Sequence, residues 1–199
     1  MTYEPNCIAM LETFEWDRTW WEHTEDTTTP RMLYIGDSIS WDIRPLANKL
    51  LDGKLLLDGF HTSKALDNPF FRPTLELVKV QESHCELVLF NNGLHGFHLD
   101  DAAYESSYRN MILLLQSTFP GIPLALILTT HVEDPAEEAV VVARNRIVRT
   151  LAAEFSLPTI DLYTLSKELE DPFRDGVHFK PNPYARLAEV MAKRITEII

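Results

Sequence analysis

After residue 30 the hydrophobic pattern switches repeatedly between two forms. Short, nearly continuous apolar runs occur at "RMLYIG" (31–36), "KLLLD" (54–58), "CELVLFN" (85–91), "LALILTT" (124–130) and "PTIDLY" (158–163). Between them, apolar residues recur at spacings of three and four. Residues 41–52 carry Ile43, Leu46, Leu50 and Leu51 in this way, and 99–118 carry Tyr104, Tyr108, Met111, Leu114 and Leu115 on one stripe until Pro120, Gly121 and Pro123 break it. Helices are likewise expected at 72–83, 135–156 and 182–198, and a loop at 59–70.

Continuous apolar strands, as opposed to alternating ones, indicate burial on both faces, so five of them separated by helices predict an α/β domain with a parallel sheet between helix layers. Such sheets place their ligand site at the carboxyl ends of the strands. The segments that follow the strands there are Gly36-Asp37-Ser38, Gly59 to Ser63, Asn91 to Gly96, Thr129 to His131 and, near the C-terminus, Asp175 to Phe179.

Residues before 30 do not join the alternation. Trp16, Trp20 and Trp21 recur at near-helical spacing and predict an extra helix packed on the domain, with stacking on a sugar ring as their alternative role. One domain over 1–199, with 1–30 as an extension on it, suits the chain length of 199 residues.

Composition narrows the partners. Hydrophobic residues make up 45% of the chain, enough for a sizeable core, and the formal net charge is −12. That charge disfavours nucleic acid and anionic membranes. The two cysteines, Cys7 and Cys85, suggest neither a disulfide framework nor a zinc site, and Cys85 reads as a small buried hydrophobe. The acidic N-terminal stretch lacks the basic start and apolar block of a signal peptide, so a cytoplasmic location is expected. Oligomeric state is not legible.

Acyl transfer by serine needs a hydroxyl, a histidine to take its proton and a carboxylate to hold that histidine in the right tautomer. Ser38 offers the hydroxyl, and "DGVH" offers Asp175 and His178 three residues apart on one turn. Taken singly, Ser38 reads as a turn and helix-cap residue. Together the three fall where a parallel sheet places its ligand site. His95 and His98 with Asp100 or Asp101 form a permissive metal pattern without a third well-placed ligand, so pocket lining or helix capping is the expected role of the histidines.

In these blocks the chain resembles the SGNH, or GDSL-type, hydrolases. The Gly-Asp-Ser block near the start and the Asp-x-x-His block near the end match Gly36, Asp37, Ser38, Asp175 and His178, and the resemblance runs from about Arg31 onward. It implies a three-layer α/β/α domain with a five-stranded parallel sheet in flavodoxin-like order, and ester hydrolysis through an acyl-enzyme without a cofactor. The implied catalytic residues are Ser38, Asp175 and His178. The implied oxyanion donors are the N–H of Ser38, an N–H at Thr62 or Ser63, and the side chain of Asn92, with His95 as the competing third-block donor. The second and third blocks depart from the family pattern, "DGFHTSKAL" and "NNGLHG" standing where a second-block glycine and Gly-x-Asn-Asp are usual. Asp37, Asn91 and His95 are expected at the substrate. The expected substrate is a small molecule carrying a short acyl ester, such as an acetylated sugar. A lysophospholipase or thioesterase comes next, and a non-catalytic flavodoxin-like module binding a small anion is the alternative of another class.

Overall fold

The computed structural model describes residues 11–82 and 84–199, so Cys7 lies outside the described residues. Among the described residues six strands and six helices follow one another: β1 (Asp17–Trp20), β2 (Arg31–Gly36), α1 (Ser38–Leu50), β3 (Leu56–Thr62), α2 (Phe71–Gln81), β4 (Cys85–Phe90), α3 (Asp101–Thr118), β5 (Leu124–Ile127), α4 (Pro135–Glu154), β6 (Thr159–Ile160), α5 (Leu162–Glu168) and α6 (Pro181–Ile198). They form one sheet of order β1-β3-β2-β4-β5-β6. The five strands expected from their apolar runs are parallel and lie in flavodoxin-like order.

Every residue of β2 is buried. Its side chains alternate between two cores, as a pleated strand requires. Leu33 and Ile35 join α2, α3 and α4 residues such as Leu75, Tyr108 and Leu151 on one face. Met32 and Tyr34 join Ile43 of α1 and Leu187 and Met191 of α6 on the other. Cys85 is buried beside β2, as its apolar neighbourhood suggested. Among the described residues no helix is long and apolar enough to cross a membrane.

Three elements differ from the sequence expectation. Residues 59–62, expected as loop, extend β3, which pairs on its outer side with β1. The tryptophan segment is therefore an antiparallel edge strand and not a helix. A strand's period of two puts Trp16, Arg18 and Trp20 on one face, where they form a column with α1: Arg18 lies 5.4 Å from the Trp16 ring centre and 5.1 Å from that of Trp41, and Arg44 lies 5.4 Å from that of Trp20. The acidic residues of the segment secure it to the body. Asp17 accepts from Lys64 Nζ at 2.6 Å and Thr62 Oγ1 at 2.6 Å, Glu15 accepts from Asn68 Nδ2 at 3.0 Å, and Glu22 pairs with Arg44 at 2.5 Å. The last strand is also shorter than expected. Asp161 caps a new helix by accepting the Thr164 N–H, so "DLY" leaves the sheet.

Candidate active site

Gly36 ends β2 and Asp37 caps α1. The Asp37 carboxylate accepts the N–H groups of Ile39 and Ser40 at 3.0 and 3.2 Å. Ser38 is therefore the first residue of the helix, three residues earlier than the periodicity suggested, because the polar "SISWD" start hides the first turn. The bend needs glycine at 36, where a Cβ would lie 2.5 Å from Ser40 Oγ. Ser40 Oγ donates to the Asp37 carbonyl at 2.6 Å, so His61 Nδ1–H, 2.5 Å away, must donate to Ser40. This buried serine–histidine pair buttresses the turn that carries Ser38. Burial, then the charges of Arg44 and Arg18, pull the His61 pKa down to about 3, which keeps the ring neutral.

The loop after α5 brings the distant block to this turn. Asp175 Oδ1 accepts the backbone N–H groups of His178 and Val177 at 2.7 and 3.2 Å. Its Oδ2 lies 3.0 Å from His178 Nδ1, and His178 Nε2 lies 2.8 Å from Ser38 Oγ. A carboxylate facing Nδ1 selects the tautomer protonated there and leaves Nε2 as the acceptor of the serine proton. Burial alone would raise the Asp175 pKa, but the N–H of His178, its ring and the N–H of Val177 together hold it at about 2.

The remaining expected residues divide. Asn92 is buried, and its Nδ2 donates to the Lys64 carbonyl at 3.0 Å. An amide nitrogen carries two hydrogens, so one remains. Ser63 N–H is donated to the Trp16 carbonyl at 3.1 Å, and Thr62 is the last residue of β3, paired with Asp17 of β1. Asn91 ties β4 to β5, donating to the Ile127 carbonyl at 2.8 Å and to Thr129 Oγ1 at 3.2 Å, and Asp37 is 4% exposed in its capping role. Neither lines the cleft before Ser38. His95 does, beside Phe14, Trp16, Arg18, Trp41 and Arg174. Its Nδ1 lies 2.9 Å from Glu12 Oε2. Burial opposes the charged ring, but the hydrogen bond to Glu12 and the charge of Asp37 outweigh it and raise its pKa. His98 pairs instead with Asp67 at 2.9 Å, and Asp100 caps α3. Among the described residues no three potential metal ligands gather.

The cleft walls contributed by Phe14, Arg18, Trp41 and Arg174 were not found from the sequence. Trp16 was singled out, but its strand neighbours could be seen only once the period was known to be two.

The fold is that of the SGNH, or GDSL-type, hydrolases. Neither a protein-family model nor a curated protein matches the sequence. Solved structures do match in shape. A member of the lipolytic G-D-S-L family from Veillonella parvula aligns at TM-score 0.66 and 17% identity, covering 86% of this chain and 98% of its own. A carbohydrate acetylesterase from Sinorhizobium meliloti aligns at TM-score 0.70 and 12% identity, covering 86% and 100%. The native aryl esterase of M. smegmatis aligns at TM-score 0.71 and 14% identity, covering 86% and 100%.

Proposed function

We propose that this protein is a serine esterase that cleaves carboxylic esters of small molecules through an acyl-enzyme. The observation that carries the reading is the continuous Asp175–His178–Ser38 relay across 140 residues of sequence. Ser38 Oγ attacks the ester carbonyl as its proton passes to His178 Nε2, and a C–O bond forms. His178 returns that proton to the departing alkoxide, which leaves as the alcohol. Water then repeats the sequence: His178 takes its proton, the oxygen adds to the acyl carbon, and Ser38 departs reprotonated. Asp175 keeps its charge throughout and stabilises the imidazolium.

The developing oxyanion is held by the Ser38 N–H at the start of α1 and by the second Nδ2 hydrogen of Asn92, which the Lys64 carbonyl orients. The polar and aromatic cleft, and the acetylesterase and aryl esterase among the similar structures, support a short acyl group. The test is turnover of 4-nitrophenyl acetate. Ser38→Ala is expected to abolish it, and Asp175→Asn to lower kcat by about 10⁴, the cost of the corresponding change in a serine protease. Wild-type turnover in Ser38→Ala would overturn the mechanism.

A further inference from the structure

The cleft before Ser38 holds about 480 Å³. One wall is the edge strand β1 with the residues just before it, and the charges of this segment are sorted. Glu12, Glu15, Asp17 and Glu22 all turn to partners on the body: His95, Asn68, Lys64 and Arg44. Arg18, the only Lys or Arg between residues 11 and 30, faces the cleft. Among the described residues no carboxylate forms an ion pair with it. Two indoles hold it instead, with its guanidinium carbon 5.4 Å from the Trp16 ring centre and 5.1 Å from that of Trp41. Trp41 lies one helical turn beyond Ser38, so this cation is fixed close to the nucleophile. A second cation, Arg174, lines the cleft from the other block, with Nη2 3.6 Å from Asp175 Oδ2.

A guanidinium stacked on aromatic faces keeps its in-plane donors free. Its planar fork is pre-organised, so less side-chain freedom is lost per hydrogen bond formed. Its fork matches an oxyanion two donors at a time. In a chain of net charge −12, such a group beside the nucleophile is a local exception to a field that repels anions. Asp42 also lines the cleft, which favours one anionic group over a polyanion.

We infer that the ester taken at this site carries a single anionic group, a carboxylate or an equivalent oxyanion, and that Arg18 binds it against the Trp16–Trp41 wall. This rests on the serine-esterase reading and names its substrate class. Two matched pairs test it: 4-acetoxybenzoate against its methyl ester, with the anion on the leaving alcohol, and 4-nitrophenyl hydrogen adipate against its methyl ester, with the anion on the acyl chain. The expected result is a preference in kcat/KM of at least tenfold for the anionic member of one pair. Arg18→Gln should lower that ratio about tenfold, the worth of a charge-assisted hydrogen bond. Arg18→Lys should keep part of it, and raising the salt from about 0.05 to 0.5 M should shrink it. A merely structural Arg18 would slow both members alike and leave the ratio unmoved, which overturns the inference. Ser38-dependent hydrolysis with ratios near one in both pairs overturns the inference alone. No turnover of any of the four esters by the wild type overturns the esterase reading with it.

Discussion

Gly93 is where the third block presses on the first, and replacing it with alanine should disturb both. Its φ is +66°, a conformation that costs a residue with a Cβ about 1–2 kcal/mol. The new Cβ would also fall 1.7 Å from Asp37 Oδ2 and 2.5 Å from Asp37 Cγ, so the carboxylate has to move. Asp37 is 4% exposed and holds the first turn of α1 through two backbone N–H groups, and losing such a cap costs about 1 kcal/mol. The sum is about 2–3 kcal/mol, or roughly 4–12 °C in Tm for a domain of this size. Urea and thermal unfolding measure it. Asp37→Ala supplies the second arm of a cycle: once Gly93→Ala has displaced the cap, removing the carboxylate should cost almost nothing more. A Gly93→Ala variant as stable as the wild type, or additive costs of the two changes, would show that Gly93 does not constrain the Asp37 cap.

The two candidates for the third oxyanion donor predict opposite kinetics. With Asn92 in that role, Asn92→Ala lowers kcat by about 10²–10³ on one activated acetyl ester with little change in KM, and His95→Ala acts mainly on KM; the reverse order would assign the role to His95. Buried His61 predicts a pH effect on stability. Its folded pKa, about 3, lies below the unfolded value of about 6.5, so the neutral ring stabilises the fold fully above about pH 6.5, and this is lost as pH falls from there toward 3. The slope from this one group reaches ~1.4 kcal/mol per pH unit, and His61→Gln, which cannot ionise, should flatten urea-midpoint curves between pH 6 and 4; parallel curves would contradict it.

The five parallel strands and the three residues of the Ser38 relay were legible because each rests on a local signal. Apolar runs mark strands buried on both faces, and "GDS" and "DGVH" are compact blocks whose positions at strand ends follow from the fold class. What escaped was set by contacts between distant segments. Residues 59–62 look like a loop by composition, since Gly59 and His61 are poor markers of a core strand, yet β1 on one side and β2 on the other complete their ladder. The β1 segment has tryptophans at spacings of four and one, which mimic a helix. Its true period appears only when Asp17 and Glu15 find Lys64 and Asn68 across the edge. Asn91 reads as a polar residue at a strand end. Only the neighbouring strand shows that its amide is committed to Ile127 and Thr129. Arg18 could not be placed in the cleft without the same strand.

Covalent capture is the sharpest test of Ser38 as the proposed nucleophile. A fluorophosphonate reacts with a serine whose proton is drawn off by a neighbouring base, and the adduct can be located by peptide mass spectrometry. One phosphonyl group per chain is expected, on Ser38, with labelling lost in Ser38→Ala and strongly slowed in His178→Ala. Folded wild-type protein left unlabelled, or an adduct on any other residue, would contradict it.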